Sequence, residues 1–210
     1  MNYKNYLSRL RCFFKNILSL IAWYKNGYSM PAPQNVKQKV LQRNGKSEIW
    51  VESGTYRGDT TYWLSRRFYE VFSIEPSAEY FQFAKQRFEG INNIYLFNDL
   101  SENVLNFVIS SVNQKHGVTK ISFWLDGHFS GGGTFQGPKD TPILQELNII
   151  EENLFLFSEV SIFIDDFRLF ASNVNEDISY PSKSELIRWA DRNGFDWKVE
   201  HDIFILVKNR

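Results

Sequence analysis

Residues 47–64 read SEIWVESGTYRGDTTYWL, and the fold turns on how this stretch is parsed. SEIWVES is a short apolar run of strand length. Gly54 and Gly58 bracket a sharp turn, and the chain from Asp59 to Phe68 has helical spacing, with Trp63, Leu64 and Phe68 available for burial. The stretch is therefore a strand, a glycine turn and a helix in immediate succession. That unit recurs downstream. EVFSIE (70–75) is a second strand, and Ser77–Phe88 a helix carrying Phe81, Ala84 and Phe88 on one face and stopped by Gly90. NIYLFN (93–98) is a third strand and 101–114 a helix. ISFWLD (121–126) is a fourth strand, followed by a glycine-rich loop at 127–139. The pattern predicts a helix over 141–157, with Pro142 in its first turn and Ile143, Leu147, Ile150 and Leu154 on one face. VSIFID (160–165) is a fifth strand. Ser182 and Glu185 form a capping box for a helix that Gly194 closes.

Strands alternating with helices imply a mostly parallel sheet covered on both faces. The end of the chain breaks that rhythm. FDWKVE (195–200) and DIFILVK (202–208) meet at His201 and Asp202, with no room for a helical crossover, so they must pair as an antiparallel hairpin. The expected architecture is a Rossmann-like α/β domain over residues 46–210, with a seven-stranded, mostly parallel sheet ending in an antiparallel hairpin. No internal repeat or low-complexity segment interrupts it.

Upstream lies a segment of different character, taken as a helical extension over residues 1–45. Of the chain's 24 basic residues, nine precede residue 48, where there is no acid; the other 15 share residues 48–210 with all 24 acids. A basic start thus precedes an acidic body. Residues 3–24 place Tyr6, Leu7, Leu10, Phe13, Phe14, Ile17, Leu18 and Ile21 on one helical face, with Lys4, Arg11 and Lys15 mainly on the other. Such a helix is too polar to span a bilayer. It suits a lid across the domain, or peripheral contact of residues 3–24 with a membrane surface. Residues 27–33 break it, and 35–44 form a second short helix ending near Gly45. The single cysteine, Cys12, sits in the apolar pattern; one cysteine forms no intramolecular disulfide, which fits a cytoplasmic protein, at most peripheral to the inner membrane face.

In a doubly wound sheet, ligands sit beyond the carboxyl ends of the strands. The five parallel strands are followed by VESGTYRGDT, IEPS, FNDLS, LDGHFSGGG and IDDF, and each end carries at least one carboxylate. One such acid is ordinary as a helix cap; the regularity of the set marks the candidate site.

The string E-x-G-x-x-x-G-x-T at Glu52, Gly54, Gly58 and Thr60 resembles the first motif of class I S-adenosylmethionine-dependent methyltransferases. Glycines let the backbone approach a ligand closely, and the helix opening near Asp59 offers free amides to a carboxylate. The resemblance implies that Glu52 meets the amino end of the methionine moiety, Glu75 accepts the ribose hydroxyls, and Asp99 meets the adenine amino group. The S-adenosylmethionine set it implies is Glu52, Gly54, Thr55, Tyr56, Gly58, Thr60, Glu75, Pro76, Ser77, Asp99 and Asp126. LDGHFS followed some forty residues later by IDDF further resembles metal-dependent sugar and macrolide O-methyltransferases of the macrocin type. That likeness implies Mg²⁺ or another divalent cation on Asp126, Asp165 and Asp166, and His128 with Asp126 as the catalytic residues, His128 being the base. The chain departs from the subgroup in having D-G-H where D-G-D-H is usual, and its loop around Gly131, Gly132, Gly133 and Gly137 is longer than in the catechol type. Asp165 and Asp166 also read as caps of the next turn, and Arg168 would relieve their repulsion as well as a metal would.

The implied reaction is methyl transfer to a hydroxyl of a small-molecule or carbohydrate acceptor, with Tyr56, Trp124, Phe129, Phe135 and Tyr180 as aromatic candidates to line its pocket. The acidic body disfavours nucleic acid, and a homo-oligomer is compatible with the sequence. Two alternatives stand beside this. An NAD(P)-dependent Rossmann enzyme shares the acid after the second strand but expects G-x-G-x-x-G, where this chain has G-x-x-x-G. A non-catalytic methyltransferase-like binding module would need no turnover.

Overall fold

The computed structural model describes residues 17–117, 119–127, 141–170 and 180–209. The described chain begins in helix α1 (residues 17–25), and α2 follows at Gln34–Asn44. Then come β1 (Ile49–Ser53), α3 (Asp59–Ser65), β2 (Glu70–Ile74), α4 (Ala78–Arg87), β3 (Ile94–Phe97), α5 (Ser101–His116) and β4 (Thr119–Leu125). The second half holds α6 (Ile143–Asn153), a 3₁₀ turn at Leu154–Leu156, β5 (Phe157–Ile164), a 3₁₀ turn at Phe167–Leu169, α7 (Lys183–Arg192), β6 (Asp196–Glu200) and β7 (Ile203–Asn209). Residues 1–16, Cys12 among them, lie outside the described residues. Among the described residues no helix is long and apolar enough to cross a membrane.

All seven strands form one sheet in the order β3-β2-β1-β4-β5-β7-β6. β1 to β5 pair in parallel, and β7 pairs antiparallel with both β5 and β6. The expected fold class is therefore the one observed. His201 and Asp202 adopt φ of 50° and 69°. Left-handed angles at both central residues are those a two-residue hairpin needs to follow strand twist, and these residues adopt them without glycine. Two elements are shorter than expected. α3 ends at Ser65 rather than near Phe68, and the 141–157 helix gives way to a 3₁₀ turn at Leu154 because β5 starts early, pairing Phe157 with Thr119.

The chain runs outward from β1 to β3 and returns to β4 on the other side of β1. The order reverses between β1 and β4, which opens the ligand crevice of a doubly wound sheet at the carboxyl ends of those strands. Strand alternation sends successive side chains to opposite faces. One face carries Val51, Phe72, Ile74, Phe123 and Ile162 into the larger core with α5, α6 and α7. The other carries Trp50, Val71, Trp124, Phe163 and Ile205 into a second core with Val40 and Leu41 of α2 and Leu64 of α3. Trp50 is fully buried there, with ring centroids 5.5 Å from Phe163 and 5.0 Å from Phe68.

Trp50→Ala should therefore cost about 3–5 kcal/mol, the range for truncating a buried aromatic side chain. Urea denaturation of the two proteins measures it, and a loss below about 1 kcal/mol would mean that α2 is not packed as described.

Candidate functional site

The second face changes character along its strands. Trp50 is followed two residues on by Glu52, Trp124 by Asp126, and Phe163 by Asp165; on β2, Val71 is followed by Ser73 and then Glu75. Period-two alternation thus stacks a row of carboxylates above an apolar floor. Glu52, Glu75 and Asp165 are buried, while Asp126 and Asp166 are half-buried. The backbone brings these ends together: the Asp126 amide donates to Ser53 (3.1 Å) and the Asp165 amide to Leu125 (3.1 Å).

The 54–58 turn lies across β1, β2 and β4. The Gly54 and Thr55 amides donate to the Ile74 carbonyl at 3.0 and 3.2 Å. Gly54 has φ of 89°, and a Cβ there would stand 2.6 Å from the Asp126 carbonyl oxygen, so only glycine admits this approach of loop to strand end. At Gly58 (φ 74°) a Cβ would meet the Phe88 ring at 2.3 Å, so glycine lets α4 pack under the start of α3.

Beneath the turn runs a hydroxyl network. Thr61 Oγ1 (2.5 Å) and Ser73 Oγ (2.6 Å) donate to Glu52 Oε2, and Thr55 and Ser73 hydroxyls share a 2.6 Å bond. Burial nonetheless pushes Glu52 up to about 7, with the two hydroxyls and then Glu75 contributing smaller effects. Glu75 sits at the rim. The Tyr56 amide donates to its Oε2 (2.6 Å) and the Ser77 amide to its Oε1 (2.9 Å). Burial raises its pKa against the pull of those two amides. Tyr56, at φ 48°, is exposed and packs on Tyr80 at 4.5 Å; Ser77 caps α4. The Pro76 carbonyl accepts from Asn98, and Thr60 Oγ1 accepts from Gln34 of α2 at 2.6 Å.

Asp99 is exposed at the end of β3. Its Oδ1 accepts from the Leu100 amide (2.7 Å) and from Asn103 (2.9 Å), so it ties down the start of α5. The turn and the acids of β1, β2, β4 and β5 gather at the switch point, with Asp99 at their edge. His128 lies outside the described residues, as do Phe129 and Phe135. Of the remaining aromatic candidates, Trp124 is core, Tyr180 packs on Phe170 at 5.4 Å, and Tyr56 borders the site.

The main difference from expectation is at the ends of β4 and β5. Lys37, on the inner face of α2 with Val40 and Leu41, is buried and directs its Nζ at Asp165 Oδ2, with Asp166 Oδ1 at 3.5 Å. Burial alone would lower its pKa, but Asp165, Asp126 and Asp166 together hold it above the ordinary lysine value. The other oxygen of Asp165 accepts the Asp166 amide (2.8 Å), and Asp166 Oδ1 takes Arg168 Nη1 (2.7 Å). Arg168 also pairs with Asp202 in the hairpin turn. The metal expected on Asp126, Asp165 and Asp166 does not fit this arrangement. Two protein cations already engage the Asp165–Asp166 pair, and among the described residues no group of three or more His, Cys, Asp or Glu could hold a metal ion. Lys37 was not singled out in the sequence. Its signal was a lysine at the i position of an i, i+3, i+4 apolar face.

The fold has counterparts among solved structures. The O-methyltransferase TomG from Streptomyces achromogenes, involved in tomaymycin synthesis and solved with SAM, is 14% identical, covers 86% of this chain and 81% of its own, and superposes with a TM-score of 0.54. The O-methyltransferase from Bacillus cereus, solved with SAH, is 16% identical over 91% of this chain and 89% of its own, with a TM-score of 0.53. The N-terminal domain of EvdMO1, with SAH bound, is 11% identical over 82% of this chain and 79% of its own, at 0.51. At these identities the likeness is one of fold. No protein family model matches the chain, and no curated protein sequence matches it.

The raised pKa of Glu52 gives a signed prediction. Its folded value, about 7, exceeds the ordinary 4.5, so the folded state holds the proton more tightly. The stability this provides is complete below pH 4.5 and lost as pH rises through about 7, on the order of 3 kcal/mol in all. Glu52→Gln should remove that slope. Melting temperatures of both proteins from pH 4.5 to 8 isolate the effect as the difference between the curves; parallel curves would reject it.

Proposed function

We propose that this chain is a methyltransferase that uses S-adenosylmethionine to methylate a hydroxyl of a small-molecule or carbohydrate acceptor. The observation that carries the reading is the Gly54–Gly58 turn closed onto Glu75 at the switch point of the sheet. Both Glu75 oxygens are fixed by backbone amides of Tyr56 and Ser77. A carboxylate offers roughly four lone-pair sites, so one remains on each oxygen, the number that a vicinal diol requires. The three fold relatives, two called O-methyltransferases and each solved with SAM or SAH, add support. The G-x-x-x-G turn weighs against a dinucleotide.

In this reading Glu75 binds the ribose, Pro76, Ser77 and Tyr56 flank it, and Asp99 lies on the adenine side. Gly54, Thr55, Gly58 and Thr60 shape the turn that meets the methionine moiety, above Glu52. The acceptor hydroxyl approaches near Asp126. S-adenosylmethionine, when bound, would supply the methyl group from its sulfonium to that hydroxyl oxygen, with neutral S-adenosylhomocysteine as the leaving group. The hydroxyl proton passes to a base, which we assign to His128. The turn and strand ends would serve to position donor and acceptor for that transfer. The acidic body repels phosphate and favours an acceptor other than nucleic acid.

Calorimetric titration with S-adenosylhomocysteine tests the donor site, and micromolar binding is expected. Glu75→Gln replaces one acceptor by an NH₂ that faces a backbone N–H, and should weaken binding at least about tenfold, some 1.4 kcal/mol. No binding by folded wild-type protein overturns the reading, and an NADH titration then separates a dinucleotide enzyme from a binding module.

A further inference from the structure

We propose that Lys37 is a built-in cation of the site, occupying the place of a divalent metal at the ends of β4 and β5 and making the site independent of one. That these ends are the reacting end of the site rests on the function proposed above; the charge arrangement itself does not. Three acids act on the Lys37 charge there: Asp126 after β4, and Asp165 and Asp166 after β5. Carboxylates so placed need a positive charge among them. α2 supplies it from outside the sheet. Lys37 Nζ pairs with Asp165 Oδ2 and lies 3.5 Å from Asp166 Oδ1. Each Asp165 oxygen already has a partner, since its Oδ1 accepts the Asp166 amide at 2.8 Å, so a metal would have to share an oxygen with one of them. On the far side, Arg168 holds Asp166 at 2.7 Å. A hard divalent ion seeking Asp165 would have to displace the ammonium, or sit beside it against like-charge repulsion.

A mere strut would not need this chemistry. The same helix face already anchors α2 through Val40 and Leu41, and a buried ion pair adds little stability over an apolar contact of equal volume. What the lysine adds is a fixed charge set against the carboxylate pair, which holds the two in register. Lys37 is thus a positioning residue acting through Asp165 and Asp166.

Manganese binding to the full chain, followed by the electron paramagnetic resonance signal of free Mn²⁺, tests the proposal. Wild-type protein should leave the signal unchanged. Lys37→Met retains a long apolar stem but takes the ammonium away from Asp165, and should bind one Mn²⁺ weakly through the Asp165–Asp166 pair, with Kd on the order of 0.1–1 mM. Adding Asp165→Asn to that variant should abolish the binding, and Lys37→Arg should behave as wild type. The proposal is overturned if wild-type protein binds an Mn²⁺ that Asp165→Asn removes, or if folded Lys37→Met binds none. Should Lys37→Met fail to fold by circular dichroism, Lys37→Arg decides: a folded, Mn²⁺-silent arginine variant supports the fixed charge, and one that binds Mn²⁺ overturns it. Titration of the same wild-type sample with S-adenosylhomocysteine keeps the two readings apart, since absent donor binding strikes the proposed function and leaves the manganese result standing.

Discussion

Carboxylates set into the low-dielectric rim of a covered sheet have to be answered by something, and much of the local architecture around this site is that answer. A parallel sheet covered on both faces leaves its strand ends as the place for polar chemistry. Here those ends carry Glu52, Glu75, Asp126, Asp165 and Asp166, and the protein treats them differently. Glu52 is answered by hydroxyls from β2 and α3, Glu75 by two backbone amides, and the β5 pair by a lysine from α2 and an arginine from the turn after β5. Hydroxyls leave Glu52 able to hold a proton near neutrality, whereas Lys37 pulls against the burial that raises Asp165 above the ordinary carboxylate value.

Those choices divide the site by chemistry. On the β1–β2 side, donors are neutral and the acids keep lone pairs in reserve, a setting suited to a polar ligand with hydroxyl and amino groups. On the β4–β5 side, charge is met by charge and the geometry is stiff. The 54–58 turn joins the halves, because Gly54 rests on the Asp126 carbonyl while the Tyr56 amide reaches Glu75. Movement of that turn would be felt on both sides.

The fold was legible because its signals are local. The strand–turn–helix unit at 47–64 repeats, and the hairpin follows from the shortness of the His201–Asp202 junction, although those residues give no glycine signal for the left-handed turn they form. The strand-end acids were legible for the same reason: topology puts the residue after a parallel strand at the crevice whatever its partners. Partners are another matter. Lys37 lies 128 residues from Asp165 in the chain, and nothing in the local pattern of α2 says which strand end it will meet. Arg168 was legible as a counter-ion because it is two residues from Asp166, whereas its bond to Asp202 needed the hairpin in place. The metal expectation meets its difficulty here, since a ligand set can be read from spacing while Lys37 arrives from a distant helix.

α2 looks in the sequence like part of a basic leader, yet it spans the site from one side to the other. Its first turn gives Gln34 to Thr60 of α3, its second gives Lys37 to β5, and its last turns close over Trp50. A chain cut back to residue 46 would retain every strand and every residue of the glycine turn, yet would lose the lysine that meets Asp165 and the roof of its second core. Transplanting the sheet and its loops into another protein would meet the same difficulty: the portable unit begins before the first strand, at the helix that brings the missing positive charge.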